Sequence, residues 1–339
     1  MKSKKIESIM VIVVLVLTAV FFIGISYAQE GKGAGVGLIP EKWWPSKWGA
    51  ADEAGAYNTI TPATIKAALK IVKTGKVYRL SMPYENGKMP LPWGRTYSLT
   101  IPGVPSGGPY GKNGVVWNDE FIVGQLGQVG TQYDGLAHIG NRDKNGTFRW
   151  YNGWPLADES GANSQGLQHN GVEKQGPFIT RGILIDGAGM KGVKAMKAGE
   201  LITLKDLETF MKKARLAPIK EGDAVLFNTG WIEYWNDHPK FNGGCPGVSI
   251  EVMKYLAAKN VSIVGADTWP ALDPVPGEDP DEVTFPAHSY MEMVNGIGQL
   301  QNLDLRQLAK DKVYEFLFVF VPVPFVGATG SPSDTIAIQ

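Results

Sequence analysis

The stretch Gln128-Val129-Gly130-Thr131-Gln132-Tyr133-Asp134-Gly135-Leu136-Ala137-His138 organises the reading of this chain. Oxygen- or nitrogen-bearing side chains fall at 128, 132, 134 and 138, around a Gly-Thr pair. These positions differ by even numbers, so on an extended strand all four project from one face. Amide, carboxylate and imidazole groups gathered on one face make a metal site or a general acid/base site. The chain has only four histidines, so one placed here carries information.

Upstream, Phe121 to Leu126 reads as a strand that leads into this window, and 83–120 reads as loop, dense in Pro and Gly. Downstream, 141–175 is polar and rich in Gly and Asn. Long loops inside a compact domain tend to be functional. Thr61-Pro62 starts a helix, with Thr as N-cap and Pro at the first helical position. Ile65, Ala68, Leu69 and Val72 follow at helical spacing, and Gly75 is placed as its C-cap. Val77 to Ser81 alternates like a strand.

The second half is more regular. Gly182–Asp186, Asp223–Asn228 and Val261–Asp267 read as buried strands, and Tyr314–Val321 as the last strong one. Leu204–Arg215 and a segment capped by Ser249 through Ala258 read as helices, and Phe285–Val294 as helical. Strand and helix patterns alternate without a linker, so residues 29–339 are expected to form one α/β domain. No internal repeat is visible, and no G-x-G-x-x-G follows a strand, which argues against a dinucleotide enzyme.

Residues 1–28 have the pattern of a secretory signal peptide. Lys2, Lys4 and Lys5 precede an apolar run from Met10 to Ile25, and Ser26-Tyr27-Ala28 supplies small residues before a cut. The alternative is an uncleaved anchor. Either way the rest of the chain is expected outside the cytoplasm, periplasmic or secreted, and off the membrane once cleaved. Net charge is zero and no basic block lies beyond the first residues, which argues against nucleic acid as a partner. Cys245 is the only cysteine, so no internal disulfide can form. It sits among glycines with no suitably spaced His, a poor context for a nucleophile. The 10 Trp, 13 Phe and 12 Tyr residues promise a substantial core instead.

The 128–138 window resembles the signature H-x-G-T-H-x-D-x-x-x-H of the cyclase family of metal-dependent hydrolases, which includes bacterial kynurenine formamidase and isatin hydrolase. The resemblance extends to Trp48-Gly49-Ala50 with Asn58, to Gly222-Asp223 with Asn228-Thr229-Gly230-Trp231, and to Gly265-Ala266-Asp267-Thr268. It closes with His288, Gly296-Ile297, Gln301-Asn302-Leu303 and Gly327-Ala328-Thr329-Gly330-Ser331-Pro332. It implies a swivelling β/β/α fold, a site at the rim of a central barrel-like mixed sheet, and a homo-oligomer acting on a small-molecule substrate.

The departures are specific. Gln128 and Gln132 stand where the family has its first two His ligands, and Gln301 stands where it has Glu. Some relatives, including a metal-dependent dienelactone hydrolase, resemble this chain in being Gln-substituted. An amide oxygen is a neutral, hard donor, so the exchange shifts preference from Zn²⁺ toward harder ions and weakens binding. Only Asp134 among the candidates is anionic unless Asp267 or Asp273 joins, which favours a single divalent ion, Mn²⁺ or Zn²⁺.

The resemblance then implies Gln128, Gln132, Asp134, His288 and Gln301 as metal contacts, with Asp134 and His138 in catalysis. Water activated by the ion would attack an amide or ester carbonyl of a cyclic amide, lactone or N-formyl amine, and His138 would act as general acid/base. Trp93, Trp117, Trp150 and Trp154 are candidates for an aromatic wall. His169 and His238 read as solvated. Two other classes stay open: a metal-free exported protein that binds a small molecule, and a pseudoenzyme of the same fold.

Overall fold

A nine-stranded mixed sheet carries the site. Its strands are β1 (Val77–Arg79), β2 (Gln132–Asp134), β3 (Phe178–Asp186), β4 (Ala224–Asn228), β5 (Ile263–Ala266), β6 (Gly298–Gln301), β7 (Glu315–Phe320), β8 (Gly330–Pro332) and β9 (Ile336–Ile338). They lie in the order β1-β9-β7-β3-β4-β5-β6-β2-β8. The run β3-β4-β5-β6 is parallel, and every other pairing is antiparallel. The computed structural model describes residues 38–155, 165–276 and 284–339. All of them fall within one compact unit, Ala34–Gln339. The expected signal segment lies outside the described residues. Among the described residues no helix is long and apolar enough to cross a membrane.

The sheet curls into a half-barrel. The chain leaving β1 meets the chain leaving β6, through a bridge between Ser81 and Leu303 and a bond from Asp304 N to Leu80 O (2.8 Å). One face is filled by Tyr133, Phe178, Leu184, Leu226, Leu300, Phe316, Phe318 and Phe320, all fully buried. The other face presents Ile183, Ile185, Val225, Phe227 and Val264 to helices. Strands with apolar residues on both faces are continuous apolar runs, the pattern of a covered parallel sheet.

The helices follow their local signals. Helix α1 (Pro62–Leu69) begins with a capping box in which Thr61 accepts from Thr64 N. It ends at Leu69, short of Val72, and Gly75 (φ 75°) serves a later turn that binds Gln339 O. Helix α2 (Leu204–Lys213) has a second capping box, Thr203 with Asp206, and buries Leu207, Phe210 and Met211. Helix α3 (Ile250–Ala258) buries Val252, Met253 and Leu256. Ser249 occupies its N-cap position but makes no side-chain capping bond. His288–Val294 is a π-helical segment rather than an α-helix.

One expectation is corrected outright. The loop expected at 83–120 contains Tyr97–Thr100, which pairs with Phe121–Gly124, and Gly107–Tyr110, which pairs with Val115–Trp117. These are two-stranded ribbons outside the main sheet. Phe121–Gly124 therefore does not lead into the core. Tyr110, Trp117, Phe121 and Val123 on these ribbons, and Val104 between them, are exposed.

Candidate metal and catalytic site

Strand β2 lies between β6 and β8. Gln132 is opposite Gln301 and Pro332, and Asp134 is opposite Gln299 and Gly330. The pleat sends Tyr133 into the core and keeps Gln132 and Asp134 on the other face, with Gln299 and Gln301 from β6 beside them. Gly330 is a close-approach position. A Cβ there would lie 2.5 Å from Tyr133 O and 2.8 Å from Gln128 Nε2, so any side chain would displace Gln128.

The single extended strand expected over 128–138 is only three residues long. Gln128 sits in a turn (N to Gln125 O, 2.7 Å), and Gly130 reverses direction at φ 66°. His138 sits in another turn (N to Gly135 O, 3.0 Å). The side chains converge all the same. Gln132 Nε2 is 3.5 Å from Gln128 Oε1, and His138 Nε2 is 3.7 Å from Asp134 Oδ2.

Asp134 is the hub. Its Oδ1 accepts from Gln132 Nε2 (3.2 Å) and its Oδ2 from Gln301 Nε2 (2.5 Å). Gln132 Nε2 also donates to Gln301 Oε1 (2.8 Å). His288 comes from the π-helical segment, with Nε2 3.5 Å from Asp134 Oδ2. Its Nδ1 lies 2.5 Å from Asp273 Oδ2. Asp273 also accepts from the backbone N–H groups of Ala287 (2.6 Å) and His288 (3.2 Å). Asp273 thus joins the site as the partner of His288, while Asp267 is engaged elsewhere, accepting from Thr229 N (2.8 Å) and Oγ1 (2.6 Å).

Two neighbours escaped the sequence reading. Glu292 is fully buried, with Oε1 4.0 Å from His288 Nε2, and accepts from Gln299 Nε2 (2.9 Å). The signal was present: Glu292 is one turn on from His288 and lies between two methionines, an odd place for a solvated acid. Arg95, in the loop segment, donates from a guanidinium nitrogen to Gln128 O (2.9 Å).

The charges act on one another. Burial alone would raise the Asp134 carboxyl, but His138, His288 and Arg95 outweigh it and hold it below the usual range. Burial holds His138 below its usual range against the pull of Asp134. For His288 burial is overcome by the surrounding acids Glu292, Asp134 and Asp273, and the ring is held well above its usual range. Burial pushes Glu292 well above the carboxylate range.

The donor set fits a single divalent cation. Asp134, His138 and His288 each offer a ligand atom, and these atoms lie within 4.8 Å of one another. Asp273 on Nδ1 leaves His288 Nε2 directed at Asp134, the arrangement in which a carboxylate orients a metal-binding imidazole. The amides of Gln132 and Gln301 donate into the carboxylate here. A half-turn about the terminal bond exchanges nitrogen for oxygen with little change in shape, so the same residues would be able to turn oxygens toward a cation.

The other candidates are dispersed. Trp93 packs edge-on to Trp269 (5.1 Å) and Phe285 (5.6 Å), and Phe285 touches the His288 ring (5.7 Å). Trp117 lies on a projecting ribbon. Trp150 O accepts from Trp43 Nε1 (2.8 Å). Trp154 stacks on His169 at 3.8 Å. His169 is therefore packed rather than solvated, with Nδ1 3.4 Å from Glu53. His238 Nε2 meets Lys88 O (3.1 Å). Cys245 is buried, and burial pushes its thiol up.

Comparison with known proteins agrees with this architecture. The Cyclase family model matches residues 78–273, more than half of the chain. The chain belongs to the cyclase family. A crystal structure of a novel cyclase is 29% identical, with a TM-score of 0.73 over 86% of this chain and 98% of that one. Isatin hydrolase A from Ralstonia solanacearum is 20% identical, with a TM-score of 0.53 over 78% of this chain and 92% of that one. An isatin hydrolase bound to the product analogue thioisatinate is 18% identical, with a TM-score of 0.53 over 82% and 98%. At these lower identities the likeness is one of fold. A comparison with curated proteins returns no match.

Proposed function

We propose that this protein is a hydrolase that uses one divalent ion, Mn²⁺ or Zn²⁺, to cleave a C–N or C–O bond of a small cyclic amide, lactone or N-formyl amine. The observation that carries the reading is the convergence of Asp134, His138 and His288, with Asp273 fixing the His288 ring. Family membership and the hydrolase activity named for the isatin hydrolases of the same fold support it.

Asp134 and His288 would hold the ion, with amide oxygens from Gln128, Gln132 and Gln301. When bound, it supplies positive charge that acidifies a water and polarises a carbonyl. The His138 side chain remains partly accessible, and burial holds its pKa below the usual range, which favours the neutral ring. It accepts a proton from the attacking water and returns it to the leaving nitrogen or oxygen. Asp273 accepts the hydrogen bond from His288 Nδ1 and so directs Nε2, which lies 3.1 Å from Gln301 Nε2 and 3.5 Å from Asp134 Oδ2, into the site, where it would release its proton on binding the ion. The exposed apolar ribbons at 97–124 support a homo-oligomer, since an isolated two-stranded ribbon is marginally stable in water. The leader pattern of residues 1–28 supports export to the periplasm or beyond.

The test is a hydrolysis screen over lactones, cyclic amides and N-formyl amines with Mn²⁺ and Zn²⁺ added separately. Turnover that depends on the ion supports the reading. Ligand binding without turnover of any class by metal-loaded protein would favour a binding protein instead.

A further inference from the structure

Arg95 is a half-buried cation at the edge of the site with most of its hydrogen-bonding capacity unspent. A guanidinium carries five N–H donors in a planar fork. Among the described residues one donor is used, on Gln128 O at 2.9 Å. Among the described residues no carboxylate lies within ion-pairing distance of Arg95, whereas Arg149, Arg181 and Arg306 all have one. Its field reaches both Asp134 and His138.

Beside it stands an aromatic corner. The Arg95 guanidinium lies 5.6 Å from the centre of the Trp93 ring. Trp93 is 67% exposed although it adjoins a buried cluster. Its edge-to-face contacts with Trp269 and Phe285 run on to His288 through Phe285. Trp93 (φ 58°) and Phe285 (φ 51°) are both held in the left-handed region, a strained conformation for bulky residues. Two strained aromatics that meet beside a reactive cluster are better accounted for by a ligand than by packing, because packing alone would not leave Trp93 two-thirds exposed.

We infer that Arg95 and Trp93 form a subsite for a substrate that carries a carboxylate on a planar ring. This deepens the proposed function and rests on it for the word substrate. The carboxylate would take the free edge of the guanidinium in a two-pronged contact, and the ring would lie against Trp93. The scissile group would then face Asp134 and His138. A neutral ring of the same size would leave the half-buried fork unpaired, so it should bind less well.

The experiment is calorimetric titration of the full chain with benzoate and with its neutral isostere benzamide. A chelator is present, so that no ion is available to the carboxylate. Benzoate is expected to bind about tenfold or more tightly than benzamide. Arg95→Met should bring benzoate down to the benzamide level and leave benzamide unchanged, and Arg95→Lys should recover part of the loss. Trp93→Ala, a change at an exposed side chain, should weaken both probes. Equal affinity for the two probes in the unaltered chain would overturn the subsite, as would benzoate binding that survives Arg95→Met or no benzoate binding up to about 10 mM. Should Arg95→Met fail to fold, the probe comparison and Trp93→Ala decide alone. Ion-dependent hydrolysis without benzoate recognition would sink the subsite and spare the proposed function. Benzoate recognition in a protein without ion-dependent hydrolysis would do the reverse.

Discussion

Asp273 Oδ2 and His288 Nδ1 are 2.5 Å apart, and the same carboxylate takes the backbone N–H groups of Ala287 and His288. One buried acid therefore sets both the start of the π-helical segment and the direction of the His288 ring. Asp273→Asn should weaken binding of the divalent ion by about 10- to 100-fold, as loss of such partners does elsewhere. Asp273→Ala should in addition destabilise the fold, because two or more buried donors lose their acceptor at about 1–3 kcal/mol each. Ion titration and urea melts read the two effects separately. Unchanged affinity in Asp273→Asn would mean that His288 is not a ligand.

If Gln128 and Gln132 contact the ion, replacing both by His should raise Zn²⁺ affinity by about tenfold or more, toward the nitrogen-rich sets zinc prefers. Competition with a colorimetric chelator measures it. No gain would place these amides away from the ion, holding only the hydrogen-bond network seen around Asp134.

Asp267 provides a pH test away from the ion. Burial pushes its carboxyl up to about 6 against a usual 3.8. Between these values the folded protein binds more protons than the unfolded chain, so this group lowers stability as pH rises through about 4 to 6. Asp267→Asn removes the titration. The stability of the variant relative to the unaltered protein should therefore improve by up to about 3 kcal/mol between pH 4 and pH 7. Urea unfolding at the two pH values checks it. A difference that does not move with pH would show that the carboxyl is not perturbed.

Ser26-Tyr27-Ala28 leads to an expected mature N-terminus at Gln29. Mass spectrometry of exported protein checks it, and a chain that retains Lys2 through Lys5 after export would support an anchor instead.

The buried strands were legible because parallel strands covered on both faces are continuous apolar runs. Val225 to Phe227 and Ile263 to Ala266 declare themselves in that way. Of the ribbons at 97–124 only the strand at Phe121–Gly124 was legible; the rest was not, because its apolar residues are broken by Pro and Gly and face water, against the usual sense of hydrophobicity. At the site, the residue types of the 128–138 window were informative, but the extended geometry assumed for them was not. Gly130 and the turn at Gly135 bend the chain, and convergence arises from turns and from the β2–β6 register. Asp273 and Glu292 became meaningful only once folding set them against His288. Arg95 carried no local signal at all.

The central claim is that Asp134 anchors one divalent ion and His138 handles protons. Titration of the metal-stripped full chain with Mn²⁺ or Zn²⁺, together with the Asp134→Asn and His138→Ala variants, tests it most directly. One equivalent should bind to the unaltered chain and to His138→Ala, and none to Asp134→Asn, with all three folded. On any substrate found, His138→Ala should then be slower by about 10²- to 10⁴-fold. Two equivalents, or undiminished binding in Asp134→Asn, would contradict the account, and loss of the ion in His138→Ala would make that residue a ligand instead of the proton carrier.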